Sequence, residues 1–156
     1  MKRMIRCSML SLLIALPVLT LPGPAAGQFA RSEDAIRYRQ SALFITGQHF
    51  SRIGAMVSDK LPFDAEVAKA SARRVQFLTT LPWPAFTPGS ESGGNTKASP
   101  DIWMQPEVFE AAWKRLLDTT PKLVAAADSG DKGQLKTAFG AVAAACKNCH
   151  DSFRER

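Results

Sequence analysis

The chain has 156 residues, with 20 Lys and Arg against 14 Asp and Glu for a formal net charge of +6. That length allows one ordinary domain, and 46% hydrophobic with 22% charged residues is a globular composition that excludes disorder, a collagen-like repeat and a disulfide-dense scaffold. Lys2, Arg3 and Arg6 lie in an acid-free first 27 residues, so residues 28–156 carry only 17 basic groups against 14 acidic ones, interspersed and with no run that tracks a phosphate backbone, which excludes nucleic acid as a partner.

Residues 1–27 read as a signal peptide. Lys2, Arg3 and Arg6 form its positive region, and Met9 to Leu19 is an apolar stretch too short to span a bilayer. Ala25 and Gly27 are the small residues at −3 and −1 of a cut before Gln28. The alternative is an uncleaved anchor. No later apolar run reaches 18 residues, so residues 28–156 are expected to be exported, without a membrane association after cleavage. Cys7 leaves with the signal. Cys146 and Cys149 remain, too few for a disulfide framework.

From Ser32 to about Ser58 the spacing of Ile36, Leu43, Phe50 and Val57, with Ile53 between, predicts a helix. Ser32 is its candidate N-cap, followed by Glu33 and Asp34 in the first turn. Arg39 and Thr46 interrupt the apolar stripe. On periodicity Arg39 snorkels to solvent; the other reading is a seam that faces something other than hydrocarbon. Lys60-Leu61-Pro62 ends this helix, and Asp64 is placed to cap a second one carrying Val67, Ser71, Val75 and Leu78. Pro82, Pro84 and Pro88 then oppose regular structure through a long loop, 82–100. Its aromatic start is expected to pack on the domain and its 89–99 part to be mobile.

A third helix is predicted from Pro106, a residue suited to the first helical position, along Phe109, Trp113, Leu116 and Leu123 to Asp128. Pro121 predicts a kink or short break near 118–120. Ser129-Gly130-Asp131 reads as turn and cap, and the last helix carries Leu135, Phe139, Val142, Cys146, Cys149 and Phe153. Four helical segments without strand alternation give an all-α protein, an antiparallel four-helix bundle.

Cys146-Lys147-Asn148-Cys149-His150 is C-x-x-C-H, the attachment signature of a c-type haem. Thiols three residues apart on a helix share a face, where they can add to two vinyl groups of one porphyrin edge, and the adjacent His150 can ligate the iron. The alternatives fit less well. A structural zinc needs about four ligands, and only His49 remains outside the motif. A thioredoxin-like pair belongs at a helix start in a βαβ unit. A disulfide across C-x-x-C inside a helix has poor geometry. For a second axial ligand, Met56 and His49 are poorly placed on the first helix, and Met104 sits at a helix entrance beside a loop. The expectation is a five-coordinate iron with an apolar distal face.

These residues resemble cytochrome c prime, the class II c-type cytochromes. The resemblance covers nearly all of 28–156. It rests on the C-terminal motif followed by Asp151, Phe153 and Arg154, on Gln28-Phe29-Ala30 with Tyr38-Arg39-Gln40-Ser41-Ala42-Leu43, and on Leu81-Pro82-Trp83 with Phe86. It implies one haem c bound covalently through Cys146 and Cys149 near the C-terminal helix, with His150 as sole protein ligand. It also implies Leu43 over the vacant distal face, Arg39 and Gln40 near the propionates, Trp83 and Phe86 as pocket aromatics, and Arg154 beside the proximal imidazole. Low-spin relatives carry a first-helix Met where this chain has Leu43, Phe44 and Ile45. Pro121 departs from the family pattern.

The implied function is a periplasmic gas-binding haem protein taking nitric oxide and carbon monoxide, for nitric oxide sequestration or detoxification. The alternative is a periplasmic electron-transfer cytochrome with a redox partner. An enzyme such as a peroxidase needs a distal acid or base, and none is placed beside Leu43. The family also implies a homodimer through the first two helices.

Overall fold

The computed structural model describes residues 28–155, so the expected signal peptide lies outside the described residues. Four long helices carry the fold: α1 (Ser32–Val57), α2 (Ala65–Leu78), α4 (Pro106–Asp128) and α5 (Lys132–Phe153). A one-turn helix, α3 (Asp101–Met104), and a single 3-10 turn at Trp83–Ala85 sit in the long connection between α2 and α4. α1 packs on α2, α2 on α4 and α4 on α5, while α1 and α5 meet more sparsely. Asp59, just past α1, pairs with Lys132 at the start of α5, so neighbouring helices run antiparallel. The expected four-helix bundle is the observed one.

Local chemistry accounts for the helix ends. The Val67 amide donates to Asp64 Oδ1 (3.0 Å) and the Gln134 amide to Asp131 Oδ1 (2.9 Å), so both predicted caps form. Ser32 does not cap α1. It is already helical, and extended Arg31 (φ −138°, ψ 149°) stands at the N-cap, with no side-chain capping bond. Gly130 adopts φ 72° just past α4, the left-handed position that commonly ends a helix.

α4 runs through Pro121 without the predicted break. Proline takes a donor away from the Leu117 carbonyl, and the Thr120 hydroxyl donates to that same carbonyl (3.0 Å). Thr46, the polar interruption in α1, donates its hydroxyl to the Ala42 carbonyl at 2.8 Å. α3 has no counterpart in the sequence reading, because one turn carries no period.

The bundle has two cores. An aliphatic one fills the end where α1 leaves and α5 begins, with Ile53, Val75, Leu123, Leu135 and Val142 at 0–1% exposure. Each of these contributes about 2 kcal/mol by leaving water. The other end holds an aromatic cluster around Ile102, Phe109, Ala112 and Phe153, with Trp83, Phe86, Trp103 and Trp113 packed on it. All three tryptophans of the chain are in that cluster.

Candidate functional site

The C-x-x-C-H motif occupies the last two turns of α5, at the aromatic end. Cys146 packs against the aliphatic core and Cys149 against the aromatic cluster, so the motif straddles the junction of the two. Both thiols are free and half-buried. Burial pushes Cys149 up to about 11, with Cys146 adding to the rise, and burial raises Cys146 as well. Thiols held protonated near a helix C-terminus are the reverse of a low-pKa redox pair. Among the described residues no group of three or more His, Cys, Asp or Glu side chains that could hold a metal ion comes together.

The His150 ring makes no hydrogen bond among the described residues. Partial burial pushes its pKa below the usual histidine value, Arg154 pushes the same way, and Asp151 opposes them. Burial and Arg154 both favour the uncharged imidazole, the form that donates a lone pair to a metal. His150 opens onto a cleft of about 640 Å³ with Lys97, Lys147, Asp151, Arg154 and Glu155. Cys149 opens onto a second one of about 720 Å³ between α4 and α5, where Val108, Ala112, Ala145 and Phe153 form an apolar lining.

α1 faces the motif across the sparse side of the bundle. Phe50 stacks on Phe139 where the two helices meet, with ring centroids 4.2 Å apart and planes inclined by 13°. From that crossing Leu43 is seven residues back along α1 and Cys146 seven residues on along α5. Both steps cover about 10 Å at 1.5 Å per residue, which brings Leu43 level with Cys146. Leu43 is 38% exposed, and Phe44 and Ile45 beside it are exposed as well.

Arg39 lies one turn before Leu43 and is 2% exposed, so it does not snorkel to solvent. Its guanidinium donates to the Ala85 carbonyl (3.0 Å), Ser90 Oγ (2.7 Å), the Ser90 carbonyl (2.7 Å) and Thr96 Oγ1 (2.9 Å). Gln40 donates to the Asn95 side chain at 3.1 Å. The 89–99 stretch expected to be mobile is thus fastened to α1, and Ser90 is fully buried. Trp83 and Phe86 belong to the aromatic cluster, their rings 6.2 Å apart. The structure therefore brings Trp83, Phe86 and Cys149 together in one cluster, and Arg154 and His150 around one cleft.

Of the other ligand candidates, Met56 is buried in the aliphatic core. His49 lies beside Arg52 and Arg74, and Met104 is 68% exposed on α3. Sequence reasoning took Phe109 and Trp113 for plain core and passed over Trp103. The gathering of Trp83, Trp103 and Trp113 at the motif's end is a tertiary feature that their spacing in the sequence does not mark.

The residues fit a covalently held haem. Among the described residues there are two neighbouring free thiols packed against apolar and aromatic side chains, and beside them an imidazole that opens onto a charged cleft.

A sequence profile of the cytochrome c prime family matches residues 34–154. The cytochrome c prime of Alcaligenes xylosoxydans xylosoxydans is 44% identical over 129 residues, covering 83% of this chain and 99% of that protein. The crystal structure of cytochrome c prime from Rubrivivax gelatinosus superposes with a TM-score of 0.79 at 44% identity, over 82% of this chain and 100% of that one. A nitric oxide complex of a leucine-to-alanine mutant of the Alcaligenes xylosoxidans protein superposes with a TM-score of 0.77 at 43% identity, over 83% and 99%. With the bundle, the C-terminal motif and these likenesses in agreement, the chain belongs to the cytochrome c prime family of haem proteins.

Proposed function

We propose that residues 28–156 form an exported, periplasmic haem c protein that binds nitric oxide and carbon monoxide and serves to sequester or detoxify nitric oxide. Cys146 and Cys149 hold the haem by thioether bonds, and His150 is the sole protein ligand of its iron. When bound, the haem supplies an iron with one coordination position open to a small gas. What supports this reading is helix geometry: Leu43 and Cys146 each stand seven residues from the Phe50–Phe139 contact, on the two helices that meet there.

Neither Leu43 nor its neighbours Phe44 and Ile45 has an atom that ligates iron. Leu43 would cover the haem face away from His150, admitting only small ligands and offering no hydrogen bond to a polar diatomic. Trp83 and Phe86 would form the apolar wall, Arg39 and Gln40 would stand near the propionates, and Arg154 would flank the imidazole. The relative solved as a nitric oxide complex supports the choice of ligand.

The reading is of a binding protein, not an enzyme. Arg39, the cationic side chain one turn before Leu43 on α1, already has four acceptors and is not available as a distal acid. A homodimer through α1 and α2 is consistent with exposed Phe44 and Ile45 on one and Phe77 on the other. Among the described residues no helix is long and apolar enough to cross a membrane.

Leu43→Ala in the haem-loaded protein tests the distal role. Carbon monoxide association is expected to speed by about tenfold, as removal of about 1.4 kcal/mol of obstruction would give. Unchanged rates and affinity would overturn it.

A further inference from the structure

One loop is tied to both sides of the candidate site. On the α1 side, the four bonds of Arg39 reach Ala85, Ser90 and Thr96, and its guanidinium carbon lies 4.7 Å from the Phe86 ring centroid and 5.6 Å from that of Trp103. Residues 39 and 43 share a helix face, so the same turn that presents Leu43 is anchored to this loop.

On the other side, the loop pairs with the chain just past α5. Ala98 forms an antiparallel bridge with Arg154, in which the Ser99 amide donates to the Phe153 carbonyl (3.0 Å) and the Glu155 amide to the Lys97 carbonyl (2.8 Å). Thr96 joins the two anchors: its hydroxyl oxygen accepts from Arg39 and from the Ala98 amide (3.2 Å). A continuous path therefore runs from Arg39 through Thr96 and Ala98 to Arg154, four residues after His150.

We propose that Arg39 is a positioning residue whose hold on the 85–99 loop fixes Arg154 on the His150 side of the site while anchoring the turn that carries Leu43 on the other. The inference rests on the reading of His150 and Leu43 as the two faces of one haem site. Burying a guanidinium against neutral acceptors is costly. A loop-to-helix tie needing only local order could be made with fewer charged groups, whereas a fork that bonds three loop positions at once holds the whole strap in register.

The test is amide hydrogen exchange on the haem-loaded protein, read by mass spectrometry with residue resolution. Arg39→Gln is expected to speed exchange of the Ser99 and Glu155 amides by about tenfold, with the core amides of Val75 and Leu123 unchanged. Thr96→Val, which leaves the guanidinium and its other three bonds, is expected to do the same at Glu155 and serves if Arg39→Gln does not fold. Arg31→Gln, which removes only an exposed ion pair with Asp34, leaves both amides unchanged. The proposal is overturned if Ser99 and Glu155 keep their wild-type exchange while the Ser90 amide loosens, or if Val75 and Leu123 speed up equally. The ferrous absorption spectrum is read on the same samples: Arg39→Gln is expected to shift it and Arg31→Gln to leave it unchanged, and an unshifted spectrum with loosened Ser99 and Glu155 amides reduces Arg39 to a structural tie and overturns the proposal. Both readouts are taken without any gas, so failure here is distinct from failure of the gas-binding reading.

Discussion

Within one turn of α1, Arg39 is sealed from water and Leu43 is left 38% exposed. The usual preference of these residue types is the reverse. The arginine has its partners in view, four acceptors and two rings, and the exposed leucine is accounted for by the proposed haem site.

A different exception lies in α2. The Ser71 hydroxyl is fully buried with no hydrogen-bond partner among the described residues, although hydroxyls in helices commonly bond back to the preceding turn. Ser71→Ala removes that unsatisfied group, so denaturant unfolding of the haem-loaded protein is expected to show a gain of about 1 kcal/mol. A loss of stability would show that the hydroxyl has a partner in solution.

The motif residues were legible in the sequence because the chemistry that needs them demands adjacency: two thiols and an imidazole within five positions. The partners of Arg39 were not, because they come from 46 to 57 residues away and two of the four are backbone carbonyls, which carry no sequence signal.

At the scale of elements, α1 and α5 meet sparsely, with one close approach. A Cβ on Gly54 would stand 2.8 Å from the tip of the Phe139 ring, which is itself stacked on Phe50. The close approach of the two helices at that level therefore depends on glycine. Gly54→Ala gains about 1 kcal/mol of helix propensity but forces the stacked ring aside, at a cost of about 1–3 kcal/mol. The net expectation is a lower unfolding midpoint with a looser α1–α5 crossing; a higher midpoint would mean that the ring yields freely.

Periodicity located all four long helices, since each buries a stripe several turns long. It overstated the effect of Pro121, because the Thr120 hydroxyl that takes over the Leu117 carbonyl is a local detail outside any hydrophobic pattern. The fastening of the 89–99 segment was hidden for the same reason: Ser90 and Thr96 look like ordinary loop residues until Arg39 reaches them.

At the scale of the molecule, the bundle divides its labour. The aliphatic end, with Ile53, Leu123 and Leu135 wholly buried, supplies stability. The aromatic end surrounds Cys149 and carries the strap that links α1 to the segment after His150. The net charge of +6 says little about this, as half of it belongs to residues 1–27.

The central claim is that Cys146, Cys149 and His150 hold a haem whose far side, under Leu43, takes no ligand from the chain. The absorption spectrum of the ferrous, haem-loaded protein with and without nitric oxide tests it most directly. The account predicts a high-spin, five-coordinate spectrum that changes on adding the gas. A low-spin, six-coordinate spectrum that nitric oxide leaves unaltered would contradict it and favour the electron carrier.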